Sequence, residues 1–299
     1  MDNMNFPPEN FESLRQIAIL LRQGEIDLPI GKKSLFALEK MLNDAELVAS
    51  CNIVELADKL DFSPASITRL AKLLGFQGFN QLKILFKQKS KIPNNFYSEK
   101  AQQLLDKDKS NPKTLFQEHL QNAISNAEQF IDQVSDADLL RASVMLAKKH
   151  RIFIFGYRQS SAIANILRYG LALLRPNVQM LVQADHGVAV ALGQLKRDDL
   201  LVVIGSAPYS NITVKIATLA KKQQCQILAI TDSLLSPLND SADITIQVPS
   251  SGQYYANSLV VNCFFIESLL SLTTIELGQP AVNNLKAHET LLSQLDVST

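Results

Sequence analysis

Up to about residue 90 the apolar positions recur only at helical spacing. Leu14, Ile17, Ala18 and Leu21 form one such set and Leu35, Leu38, Met41 and Leu42 another, with further helices predicted near 53–60, 63–74 and 79–89. From 91 to 113 the chain turns polar and rich in turn formers, KIPNN and then LLDKDKSNPK, which marks a linker. Helical spacing resumes over 115–131 and 139–148. After His150 the pattern changes. Short β-branched or aromatic runs at 152–155, 178–182, 200–204, 227–230 and 244–248 alternate with segments of helical period such as 162–174 and 214–222. Strands alternating with helices predict a parallel sheet with crossover helices, closed by a long apolar helix from about Ala256 to Leu277. The expected architecture is two domains: an all-α bundle over 1–90, a linker over 91–113, and an α/β parallel-sheet domain over 114–299.

Composition agrees with two globular domains: the chain has 299 residues, of which 46% are hydrophobic. Cys51, Cys225 and Cys263 lie far apart and form no C-x-x-C pair, so neither a zinc ribbon nor a disulfide framework is predicted. Three buried thiols in a reducing cytoplasm are expected instead. The start, MDNMNFPPEN, lacks the apolar run of a signal peptide. The stretch 259–277 is interrupted by Asn262, Glu267 and several Ser and Thr, and reads as a buried helix rather than a membrane span. A cytoplasmic protein with no membrane partner, no cofactor and no metal site is the expectation.

Total charge alone argues against nucleic acid, because the formal net charge is zero. Its partition points the other way. Residues 1–61 carry a net −5 and residues 99–299 a net −1, whereas 62–98 carry Arg69, Lys72, Lys83, Lys87, Lys89 and Lys91 with no acid at all. A basic stretch of this kind is what phosphate contacts require.

That stretch overlaps a distinctive run, IVELADKLDFSPASITRLAKLLGFQGF over 53–79. The first helix is expected to bury Val54, Ala57 and Leu60. Ser63 then offers its oxygen to orphan backbone N–H groups, and Pro64 tolerates the first helical position. Ile67, Leu70, Ala71 and Leu74 form the core face of the second helix, and Ala65, Ser66, Thr68, Arg69 and Lys72 face away. Asp61 occupies a turn position where glycine often stands, and Gly75 stops the helix. Two short helices in this arrangement fit a helix-turn-helix over about 53–74, whose second helix enters the major groove of double-stranded DNA. They also fit an ordinary α-hairpin with a solvated face.

The run SPASITRLAKLLGFQGFNQLK resembles the N-terminal domain of RpiR-type bacterial transcriptional regulators. The likeness rests on Ser63 at the helix start, Ile67-x-Arg69 within it, and the Gly75-Phe76-Gln77-Gly78-Phe79 exit. It implies an operator-binding surface made by Ser63, Ala65, Ser66, Thr68, Arg69 and Lys72, with Lys83 and Lys87 as phosphate anchors.

Residues 115–290 resemble the sugar isomerase (SIS) domain of the same family, an α/β fold that binds phosphorylated sugars at the C-terminal ends of its strands. The resemblance implies an effector site from Gly156, Arg158, Ser160 and Ser161 after the first strand, with the two serines able to cap the next helix. Ser206, Tyr209 and Ser210 follow the third strand, Thr231 and Ser233 the fourth, and Asn257 opens the last long helix. Where sugar-phosphate binders usually read Ser-x-Ser-Gly-x-Thr, this chain has Gly205, Ala207 and Pro208 in place of the two serines and the glycine. Pro208 brings no N–H to a phosphate. Tyr209 with Arg158 suits an effector with a ring, so a phosphosugar or a sugar acid is expected. The rival is an aldose–ketose isomerase, which needs a base such as His186 or Glu267. The attached DNA-binding domain favours a sensor that is not an enzyme, pairing as a homodimer or tetramer through its α/β domains.

Overall fold

The computed structural model describes residues 7–90, 96–105, 107, 111–181 and 187–296. They divide into two compact units, one from the first 95 residues and one from Phe96 onward.

In the first unit, six helices are described: α1 (Phe11–Gln23), α2 (Lys32–Asn43), α3 (Ala45–Ser50), α4 (Ile53–Leu60), α5 (Pro64–Leu73) and α6 (Phe79–Ser90). Leu14, Ile17, Leu38, Met41, Leu56, Ile67, Leu70, Leu74, Leu82 and Phe86 make a core with essentially no solvent contact. Phe11 meets Phe86 edge to face at 5.4 Å, tying the first helix to the last. In α4 the buried stripe runs through Leu56, Ala57 and Leu60, and the predicted Val54 is 64% exposed. Val54 lies two residues, about 200° of helical turn, from Leu56, so the stripe centred on Leu56 leaves it on the solvent side.

The second unit opens with α7 (Phe96–Leu105), α8 (Pro112–Gln133) and α9 (Asp136–Lys148). Helix α7 falls within the predicted linker. Its place comes from a distant partner: the Lys100 ammonium donates to the carbonyls of Gly252 and Ala256, a tertiary tie with no local sequence signal.

Then follow β1 (Ile152–Gly156), α10 (Ser160–Leu174), β2 (Val178–Met180), α11 (Val188–Gly193), β3 (Leu200–Gly205) and α12 (Asn211–Lys222). The chain ends with β4 (Gln226–Thr231), β5 (Ile244–Gln247), α13 (Val260–Leu277) and α14 (Gln279–Gln294). All described strand pairs are parallel, in the order β2-β1-β3-β4-β5, with Ile152 opposite Leu200 and Gly156 opposite Ile204.

Both sheet faces are covered, which is why β1 and β3 are apolar at every position and β4 from Ile227 to Ile230. Ile152, Ile154, Val202, Ile204, Leu228 and Ile230 pack under Phe130, Leu146, Leu167 and Phe265. Phe153, Phe155, Leu201, Val203 and Ile227 pack under Leu192, Ile216 and Ala220. Helix α13 is long and apolar enough to cross a bilayer, but Val261, Phe265, Ile266 and Leu269 belong to the first of these clusters. It begins at Val260 and not Ala256, because 253–259 form an irregular loop pinned to the site below.

Connections leave β1 in one direction to reach β2 and return on its other side to β3. The strand order therefore reverses between the C-terminal ends of β1 and β3, where open α/β sheets leave a crevice.

Candidate functional site

Two places carry the candidate chemistry, one in each unit. In the first, α4 starts with a capping box: the Asn52 side chain accepts from the N–H groups of Val54 and Glu55, and Glu55 accepts from the Asn52 N–H at 2.9 Å. The helix ends with Asp61 in the left-handed region (φ 58°), its N–H bonded to Asp58 O and that of Phe62 to Ala57 O. This is a Schellman closure made by an aspartate. Two residues later Ser63 caps α5, accepting from the Ser66 N–H at 3.1 Å. Gly75 (φ 87°) closes that helix by the same device.

The result sets the outward side chains of α5. Ala65, Arg69 and Lys72 are exposed on one face, with Ser63 at its start. The Ser66 hydroxyl pairs with that of Ser63 at 2.8 Å, and the Thr68 hydroxyl donates back to Pro64 O. Lys83 on α6 is half-buried and its ammonium donates to the carbonyl of Cys51, so the structure uses it to tie α6 to the end of α3. Lys87 is exposed.

In the second unit a shallow, solvent-open cleft lies at the β1/β3 crevice. Of the predicted residues it is lined by Arg158, Ser160, Ser206, Ser210 and Asn257. Tyr97, Gln159, Thr213 and Leu259 line it too and were not singled out by the sequence. Gly156 ends β1 under the start of α10, where a Cβ would sit 2.4 Å from the Ser160 carbonyl oxygen; only glycine fits this close approach. Arg158 is exposed with φ 53°, which turns the chain off the strand.

The loops around the cleft are fastened to one another. Gln159 donates to the Tyr254 hydroxyl and to the Asn257 carbonyl, at 2.6 and 2.7 Å. The Asn257 amide donates to Ala207 O. The Asp232 carboxylate accepts from the Ala207 N–H at 3.1 Å and from the Tyr209 hydroxyl at 2.7 Å. Burial pushes the Tyr254 phenol above its ordinary range, which keeps it a neutral hydrogen-bonding group.

Four expectations change accordingly. Tyr209 is outside the cleft lining, because its hydroxyl is held on Asp232. Thr231 and Ser233 are buried and also outside it: Ser233 Oγ accepts from the Leu235 N–H, and Thr231 Oγ1 lies buried without a partner among the described groups. Ser161 does not cap α10; its hydroxyl donates to Arg158 O at 2.6 Å, and no side-chain cap bond closes that helix start. Asn257 lies in the loop before α13 and not in the helix. Of the candidate bases, Glu267 is exposed on α13 and does not line the cleft, and His186 lies outside the described residues. Cys51 and Cys225 are buried, and Cys263 is only half-buried.

Electrostatically the cleft favours an anion. Helices α10 and α12 both begin at it with their positive dipole ends and no side-chain cap bond, although the N–H groups of Ser161, Ala162 and Thr213 are taken by the carbonyls of Arg158, Gln159 and Ser210. Arg158 adds a cation, and Ser160, Ser206, Ser210 and Thr213 add hydroxyls.

Comparison with known proteins covers both units. Residues 36–91 match a helix-turn-helix domain of the rpiR family, and residues 145–272 match the SIS domain. An uncharacterised HTH-type transcriptional regulator of Haemophilus influenzae is 25% identical over 231 residues, covering 76% of this chain and 78% of its own. The sugar isomerase domain of an RpiR transcription factor from Sphaerobacter thermophilus superposes with a TM-score of 0.55 at 22% identity, covering 58% of this chain and 97% of that one. The Vibrio vulnificus NanR protein, solved in complex with ManNAc-6P, superposes with a TM-score of 0.56 at 17% identity, covering 93% of this chain and 98% of that one.

Proposed function

Because this chain belongs to the rpiR family of helix-turn-helix transcriptional regulators and carries a SIS domain, we propose that it is a phosphosugar-responsive regulator in which α5 reads an operator and the β1/β3 cleft takes the effector. The observation that carries the DNA half is the outward face of α5, where Arg69 and Lys72 stand free of the core inside the acid-free stretch 62–98. Helix α5 enters the major groove with its N-terminal residues toward the bases. Ser63 and Ser66 contact bases or phosphate there, and Arg69 makes the principal base or phosphate contact. Lys72 and Lys87 contribute backbone contacts, whereas Lys83 acts by holding α6 in place.

A cleft with two uncapped helix starts, one guanidinium and a rim of hydroxyls suits a phosphate carried on a polyol. A relative of this fold was solved with ManNAc-6P, which supports the same ligand class for this chain. Pairing of two chains through their α/β units presents two recognition helices to a palindromic site, with half-sites about 10 base pairs or a multiple apart. Effector binding shifts the balance between paired geometries and with it operator affinity.

The test is a thermal-shift screen of the full chain against hexose and pentose phosphates and sugar acids, each hit then added to the protein–operator complex. Stabilisation by a sugar phosphate together with a change in operator affinity is the expected result. Turnover of any of them in a coupled isomerisation assay supports the rival enzyme instead.

A further inference from the structure

The cleft is not built from the SIS segment alone. Tyr97 lines it from α7, which lies outside both family matches and begins six residues after α6 ends. Tyr97 is 39% exposed, and its ring leans edge to face on Phe96 at 5.1 Å. Lys100, one helical turn after Phe96, lies over the Phe96 ring at 4.7 Å and donates to the Gly252 and Ala256 carbonyls at 3.3 and 3.4 Å. The 252–257 loop that receives α7 is the same loop that Gln159 and Ala207 hold from either side of the cleft. A single run of polar contacts thus joins both phosphate-side loops to the helix that carries Tyr97.

We infer that Tyr97 is a direct effector contact, and that Lys100 is the positioning residue that holds it over the cleft. An aromatic ring with a phenol edge suits the opposite end of the ligand from the phosphate, where a sugar offers C–H faces and hydroxyls. It makes up in part for the hydroxyls that Gly205 and Ala207 do not supply. Because Tyr97 sits just after the last helix of the DNA-binding unit, a ligand resting on it acts on the segment through which the two units are joined. The inference rests on the phosphosugar reading.

The experiment uses the full chain and hexose 6-phosphates as probes, measured by titration calorimetry. Tyr97→Ala is expected to weaken the best-bound probe by about tenfold, while Tyr97→Phe loses only about two- to threefold. Lys100→Met is expected to weaken binding similarly, with recovery in Lys100→Arg, which can still donate to two carbonyls. The chain has no tryptophan, so Tyr97→Trp supplies a unique fluorophore whose emission shifts when the probe enters. Probe binding that is unchanged in Tyr97→Ala and silent in Tyr97→Trp overturns the role of Tyr97 and leaves the phosphosugar reading standing. Failure of the wild-type chain to bind any probe overturns both.

Discussion

At the start of α5 and at the ends of β1 and β3, small polar side chains stand beside a helix N-terminus, but they are put there by different means. Around α5 each fixing bond is local: Ser63 to Ser66, Thr68 to Pro64, Asn52 to Glu55. At the cleft the bonds leap along the chain, from Gln159 to Asn257 across 98 residues, from Asn257 to Ala207 across 50, and from Ala207 to Asp232 across 25. A locally built surface keeps its shape when neighbours change, and its ligand contacts can be removed singly. A surface assembled from four distant segments is tuned by residues that never touch the ligand.

The largest expected effect belongs to the local surface. Arg69→Ala should lower operator affinity at least about thirtyfold for a two-fold-symmetric complex. Its melting temperature should stay that of the wild type, since the side chain is exposed. Operator binding that persists at physiological salt would detach α5 from the groove.

Next comes the assembled surface. Asp232→Ala removes the acceptor for both the Ala207 N–H and the Tyr209 hydroxyl, so effector affinity should fall about tenfold without any direct contact being lost. Operator affinity without effector should not move. If both affinities fall together, the two regions are not separable in the way proposed.

Lys83 and Lys72 sharpen the contrast within one unit. Lys83→Met should cost about 1 kcal/mol in urea unfolding, by leaving the Cys51 carbonyl without its donor. It should leave the salt dependence of operator binding unchanged. Lys72→Ala should do the reverse, reducing the slope of log K against log salt by about 1 per protomer with stability intact. A reduced slope in Lys83→Met would restore it as a phosphate anchor.

The smallest effect lies at the opposite end of the sheet from the cleft. Burial, helped by the Asp199 carboxylate, pushes the Cys225 thiol from about 9 up to about 11. The folded state therefore holds the proton more tightly than the unfolded one. The associated stability is present in full below about pH 9 and is lost as pH rises toward 11. Cys225→Ala should flatten that alkaline slope and leave effector binding alone.

This contrast also explains what could be read from the chain. Helical period and capping chemistry are local, so the buried face of α5, its Ser63 cap and the left-handed Asp61 all follow from neighbours within a few residues. The central strands were visible because a doubly covered parallel sheet writes itself as continuous apolar runs, and β5 because its Ile244 and Ile246 alternate with polar residues. Helix α7 was hidden by turn-rich sequence on both sides, since the carbonyls that Lys100 binds lie 152 and 156 residues away. The loop residues at the cleft were named by resemblance, and the structure sorts them by bonds that resemblance does not carry. Tyr209 and Ser161 face protein partners, whereas Gln159 and Asp232, which stand between the residues named from the sequence, organise the loops.

In the proposed mechanism one chain couples operator binding to a phosphosugar. The most direct test of that coupling is fluorescence anisotropy of the full chain on a duplex enriched from a random pool, titrated with and without the hexose 6-phosphates. A palindromic duplex bound at physiological salt, with affinity shifted at least about tenfold by a sugar phosphate, is the predicted result. Enrichment of no sequence, or tight binding that no sugar phosphate alters, would contradict it.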